Sequence, residues 1–112
     1  MITASITKDI TYKEDKPTIT LLMETETTKE IRVVMRKGQE MKEHSAPKPI
    51  VIEMFEGEIN FGVNKKVLNL KKGDLIALDA SVPHDLVCTE DAIVRLTLAK
   101  ADSIKRVNDV VS

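Results

Sequence analysis

The donors in this sequence best suited to metal or acid–base chemistry are His44, His84 and Cys88, its two histidines and single cysteine. Two imidazoles and a thiolate would together make a soft three-donor site for zinc or copper. The histidines alone would serve as hydrogen-bonding anchors for an organic ligand. No basic residue beside Cys88 in sequence lowers its pKa, so a small buried hydrophobe describes it better than a nucleophile. Nothing in the chain forms a Ser-His-Asp constellation. The four glycines, Gly38, Gly57, Gly62 and Gly73, stand too far apart for a phosphate-cradling loop or a dinucleotide fingerprint.

The elements that must position these donors are β-strands. Valine, isoleucine and threonine supply 32 of the 112 residues, and β-branched side chains fit a pleated sheet better than a helix. With no Trp, one Tyr and two Phe, the core must be aliphatic and offers no aromatic platform for stacking bases. The length is that of a single domain, 1–112. The 17 basic and 18 acidic residues nearly balance, against nucleic-acid binding and against a disordered charged tail. The longest apolar stretches, such as Pro49–Ile52, fall far short of the roughly 20 residues of a membrane helix. The start, Met1-Ile2-Thr3-Ala4-Ser5, lacks the basic residues and apolar run of a signal peptide. A lone cysteine fits a reducing, cytoplasmic setting.

Along the chain, residues 1–16 read as an arm or edge strand and 17–100 as the barrel. The pattern predicts strands at Thr18–Glu24, Glu30–Arg36, Ile50–Glu56, Glu58–Val63, Val67–Leu70, Leu75–Leu78, His84–Cys88 and Ala92–Ala99. Gln39–His44 reads as a polar lead-in, Gly57 as a turn, and Asn64-Lys65-Lys66 as a tight connection. Residues 101–111 predict a short helix. Ile104, Val107 and Val111 share one of its faces, and Asp102 or Ser103 caps its start. Evenly spaced short strands bounded by Gly, Pro or Asn indicate an all-β sandwich or barrel.

Two glycine-anchored segments resemble the motifs of the cupin superfamily. Gly38 is followed by five residues and His44, and Gly57 closes that motif. Gly73 begins the second, which runs through Pro83 to His84. Glu56–Phe61 looks like the hairpin between them. The resemblance covers roughly residues 30–100. It implies a double-stranded β-helix (jelly-roll) barrel with a short C-terminal helix, commonly paired as a homodimer. It also implies a divalent metal (Zn, Fe, Ni, Mn or Cu) held by three histidines and a glutamate. Here Ala46 stands in place of the second histidine, Ile50 in place of the glutamate, and Cys88 in place of a family asparagine. His44 and His84 are the metal ligands that remain.

Strand alternation places Ala46, Ile50, Ile52 and Met54 on the same inward face as His44. Together with His84 and Cys88 they describe a mostly apolar pocket with a few polar anchors, the usual makeup of a small-molecule site. Met35 is a further candidate for its lining. Alternation also sends Glu43 and Asp85 away from the neighbouring histidines. Val51, Glu53 and Phe55 face outward, where the C-terminal helix or a second subunit must cover them. Three functions follow: a barrel that binds a small, largely apolar molecule; a metal-dependent dioxygenase, isomerase or decarboxylase with an incomplete site; and a noncatalytic dimer scaffold.

Overall fold

A computed structural model describes residues 1–111. The strands are β1 (Thr18–Glu24), β2 (Thr28–Met35), β3 (Glu40–His44), β4 (Ile50–Val63), β5 (Lys66–Lys71), β6 (Leu75–Leu78) and β7 (His84–Ala99). One helix, α1 (Ile104–Val111), follows. All strand pairs are antiparallel.

β4 and β7 pair along almost their whole length, and each serves both halves of the barrel. The end of β7 nearest the helix pairs with β2, and β2 with β1, while the first residues of β4 pair with β6. The start of β7 pairs with β3, and the end of β4 pairs with β5. The result is the jelly-roll barrel that the family resemblance implies. Inward residues of both halves form one aliphatic core, in which Ile31, Met35, Met54, Ile59, Phe61 and Leu98 are fully buried.

Two predicted breaks are bends within continuous strands. Gly57 does not turn the chain back. It sits at φ 82° amid register shifts between Met54 and Ile59, so β4 bends and continues. A Cβ there would lie 2.1 Å from the Asp91 carbonyl oxygen, so the close approach of β7 requires glycine. Opposite it, residues 89–91 carry β7 through the same bend.

Gln39–His44, expected to be an irregular lead-in, supplies β3. Glu40, Lys42 and Glu43 face solvent, and the sole buried member is Met41. A polar string with one apolar residue hides a strand whose inner face is short. The arm 1–16 contains no strand. It is strapped to the barrel by Arg32, whose buried guanidinium donates to the carbonyls of Ser5, Ile6, Lys8 and Asp9.

The helix begins at Ile104. Ser103 Oγ caps it by accepting from Arg106 N at 3.1 Å. It packs against β3 and β1, so it does not cover the outward face of β4, for which it was one of two expected covers. Val107 is buried, and Ile104, Val110 and Val111 pack against the core.

Candidate functional site

The two histidines meet because of strand register. His44 ends β3, His84 begins β7, and they are direct cross-strand partners. Between Met41 and His44 the register shifts, with three steps along β3 against two along β7. Without that bulge, Met41 and His44 would face opposite sides. With it, both line the same cavity. The imidazole centroids lie 4.2 Å apart with planes at 61°. Phe61 stacks on His84 at 5.5 Å.

Both rings are oriented by backbone. His44 Nδ1 lies 2.6 Å from the Lys42 carbonyl oxygen, and His84 Nδ1 lies 3.0 Å from that of Val82. A carbonyl only accepts, so each Nδ1 carries the proton and donates it. Each neutral ring therefore keeps its lone pair on Nε2. Burial holds both pKa values below that of a free histidine, opposed by these carbonyl bonds and reinforced by the nearby Arg106 cation. For His44, the neighbouring His84 adds to the lowering.

The cavity has a volume of about 30 Å³. Its apolar walls are Val33, Met35, Met41, Ile50, Ile52, Leu86, Val94, Leu96 and Val107, and its polar groups are His44, His84 and Arg106. At about 10–15 Å³ per water it holds roughly two waters, far below the several hundred Å³ of a typical organic-ligand pocket. Arg106 and Val107, both from α1, close it. The Arg106 guanidinium is ion-paired at its rim, with Nε 2.7 Å from Asp102 Oδ1 and Nη2 2.8 Å from Oδ2.

Of the residues expected from sequence, the structure brings His44, Ile50, Ile52 and His84 together around the cavity, with Met35. Ala46, Met54 and Cys88 are buried but stand outside its lining. Ala46 lies just beyond β3, where its carbonyl accepts from Ser81 N at 2.7 Å. Met54 and Cys88 lie close to the bend marked by Gly57. The Cys88 thiol is pushed up to about 11 by burial and by the charge of Asp91, and it donates to the Glu90 carbonyl at 3.0 Å. Sequence reading missed Met41, hidden by the bulge. It also missed Arg106, which lies off the apolar stripe of α1 yet reaches the cavity.

These residues do not make the four-ligand metal centre that the resemblance implies. Two of its positions hold the apolar Ala46 and Ile50, and the thiol of Cys88 is turned to backbone carbonyls. Among the described residues no three His, Cys, Asp or Glu side chains cluster as a metal site. Glu43 and Asp85 are exposed, and Asp85 lies across Gly62, where a Cβ would fall 2.2 Å from its Oδ1. The cation whose charge bears on both histidines is Arg106, which opposes a second positive charge.

No helix among the described residues is long and apolar enough to cross a membrane. No curated protein matches the chain in sequence. Solved structures match its fold closely. An RmlC-like cupin from Desulfovibrio desulfuricans superposes with TM-score 0.77 at 22% identity, covering 88% of this chain and 96% of that one. A conserved protein of unknown function from Streptococcus pyogenes gives 0.75 at 20%, covering 91% and 90%. An RmlC-like cupin from Shewanella frigidimarina gives 0.72 at 23%, covering 78% of each. The cupin domain family model matches residues 31–99. With the jelly-roll barrel and the two histidines at its motif positions, this match makes the chain a member of the cupin domain family.

Proposed function

We propose that this cupin barrel binds a small, largely apolar molecule beside His44 and His84, which act as its hydrogen-bonding anchors. The observation that carries this reading is the cavity lining. It is aliphatic except for two imidazoles whose Nδ1 protons are committed to backbone and an arginine already paired with Asp102. Two Nε2 lone pairs in an apolar wall ask for a ligand that donates a hydrogen bond. A neutral alcohol or phenol with an apolar body meets that need without placing another cation beside Arg106.

The rival is a metal held by the two histidines. It draws support from the carbonyl bonds at Nδ1, which are the outer-shell contacts that orient ligating histidines. One experiment separates the two. Untagged protein purified without chelators is analysed for metals beside the His44→Ala, His84→Ala double variant. Both are then titrated with 1-naphthol and with 1-methoxynaphthalene, which lacks the donor hydrogen. Metal-free wild type that is stabilised against heat by 1-naphthol, more than by the ether and more than the double variant is, supports the binding barrel. Near-stoichiometric metal in the wild type and none in the variant supports the metal reading.

Two further features belong to the same proposal. Val51, Phe55, Leu75 and Ala77 leave apolar surface on β4 and β6, with Leu75 61% exposed. A second copy covers it, as an isologous homodimer, and sedimentation equilibrium then gives twice the 12.5 kDa chain mass. The free thiol of Cys88 suits the reducing cytoplasm.

A further inference from the structure

The cavity as it stands is too small for the ligand proposed above, and the group that fills the missing volume comes from outside the barrel. Val107 is 2% exposed and lines the cavity, although it belongs to α1 rather than to a strand. We infer that α1 is a displaceable plug whose Val107 occupies the space of the ligand's apolar body, and that it swings about residues 102–103 to open the site. This inference rests on the binding reading for its purpose, but not for its test.

The attachment of α1 is uneven along its length. Its root is held firmly. Lys29 Nζ donates to the carbonyls of Lys100, at 2.9 Å, and Asp102. The buried Asp102 carboxylate takes Ser103 N at 2.7 Å and the Arg106 guanidinium. Beyond the root, Arg106 Nη1 reaches the Ser45 carbonyl at 3.4 Å, near the limit of a hydrogen bond. The Lys105–Asp109 pair is internal to the helix. Its apolar docking is made by Ile104, Val107, Val110 and Val111. At eight residues, α1 is shorter than the roughly 12–15 that hold helical structure alone. Once undocked it loses its helix, so it opens as a unit rather than by small shifts. The barrel wall beneath is tied by the long β4–β7 pairing and need not move.

The histidines report this opening without any ligand. Diethyl pyrocarbonate acylates neutral imidazole, and this chain offers it only His44 and His84. Cleavage after Lys42, Lys65 and Lys72 puts them in separate tryptic peptides, so each rate is read alone by mass spectrometry. His84, 4% exposed, is the reporter. Native-state amide exchange is measured on the untagged wild type. The plug predicts that the amides of 107–111 exchange at least 100-fold faster than those of β4 and β7. It also predicts that Val107→Ser raises the His84 acylation rate at least fivefold with the strand circular dichroism unchanged. Exchange of 107–111 at the same slow rate as β7 would overturn the inference, because the helix would then leave only when the barrel unfolds. An unchanged His84 rate in folded Val107→Ser would overturn it as well. If that variant does not fold, the wild-type exchange decides. Fast exchange and fast acylation with no 1-naphthol binding leave the plug standing and remove the binding reading.

Discussion

The barrel interior has two regions built from similar aliphatic residues and closed in different ways. Towards the bend, Met54, Ile59, Cys88 and Phe61, which reaches back to stack on His84, are at most 1% exposed and fill the space between the strands themselves. At the mouth, Met41, Ile50, Leu86 and Leu96 leave a cavity that Val107 and Arg106 close from a helix. Filling from within is stability, since close-packed interiors lose energy with each missing methylene. Filling by an element firmly rooted at only one end is compatible with binding, since what enters from outside can leave. The polar groups follow the same division. The mouth has two imidazoles with free Nε2 atoms, while the Cys88 thiol towards the bend donates to the Glu90 carbonyl.

That difference breaks down if the bend tolerates truncation as the mouth does. The largest effect is expected for Phe61→Ala, which should cost about 3–5 kcal/mol of unfolding free energy. Val107→Ala, the matching change at the mouth, removes two methyl groups from a helix that can readjust and should cost about 1–2 kcal/mol. Urea unfolding of the two variants beside the wild type measures both. Equal costs would mean that α1 is core in the same sense as Phe61.

Next in size is Gly57→Ala, which tests whether the bend is rigid. The positive φ alone costs about 1–3 kcal/mol for a residue with a Cβ, and the overlap with Asp91 backbone adds to it. Gly38 has a similar φ of 93° but nothing within 4 Å of an added Cβ, so Gly38→Ala should show the conformational cost without the overlap. A smaller loss for Gly57→Ala than for Gly38→Ala would mean that β4 and β7 can separate at the bend.

A smaller effect probes the root of α1. Burial alone would raise the Asp102 pKa. The hydrogen bonds from Arg106 and from Ser103 N, with the charges of Arg106 and Lys29, outweigh it and hold the carboxyl below its ordinary value. A group whose folded pKa is depressed contributes stability that is present above its unfolded pKa, about 3.9, and lost as pH falls through the folded value. Wild type should therefore lose stability below about pH 4 relative to Asp102→Asn, whose curve lacks this contribution. At pH 7 the substitution should cost about 1–3 kcal/mol. That is less than a fully buried pair would lose, because Arg106 is 23% exposed. Thermal melts of both proteins from pH 3 to 7 show whether the gap narrows as the pH falls.

Much of this architecture was legible in the sequence, and the exceptions have physical causes. Alternating β-branched residues marked the buried faces of β2, β4 and β7, and the glycine and histidine spacing marked the barrel and its two histidines. β3 was not legible, because a bulge replaces period-two alternation where Met41 and His44 both turn inward. Gly57 looked like a turn because a turn and a bulge at a close approach both call for a residue free to take positive φ. For the cavity, alternation gave the inward face but not depth along the barrel axis. Ile52 and Met54 share that face, yet only Ile52 borders the cavity. The contribution of α1 was out of reach, since its docking place depends on Asp102, Arg106 and Lys29 meeting across the chain.

Cys88 gives the smallest expected effect. Its position in the motif, four residues after His84, made it a possible third donor beside the histidines. In the structure its neighbours are the carbonyls of Met35 and Glu90 and the nearby charge of Asp91. A thiol raised to about 11 is almost entirely protonated at pH 7–8, and only the thiolate attacks an alkylating agent or a disulfide. Native protein should therefore show less than about 5% labelling by a thiol reagent over minutes, a reaction that goes to completion in denaturant. Cys88→Ala should leave the acylation rate of His84 and the affinity for 1-naphthol unchanged within error. It removes a small buried group at the bend that meets the cavity-lining Met35 at its backbone carbonyl. A change in either quantity would mean that the two regions are coupled through β7, which runs from His84 past Cys88, and the barrel would then respond to a ligand along its length.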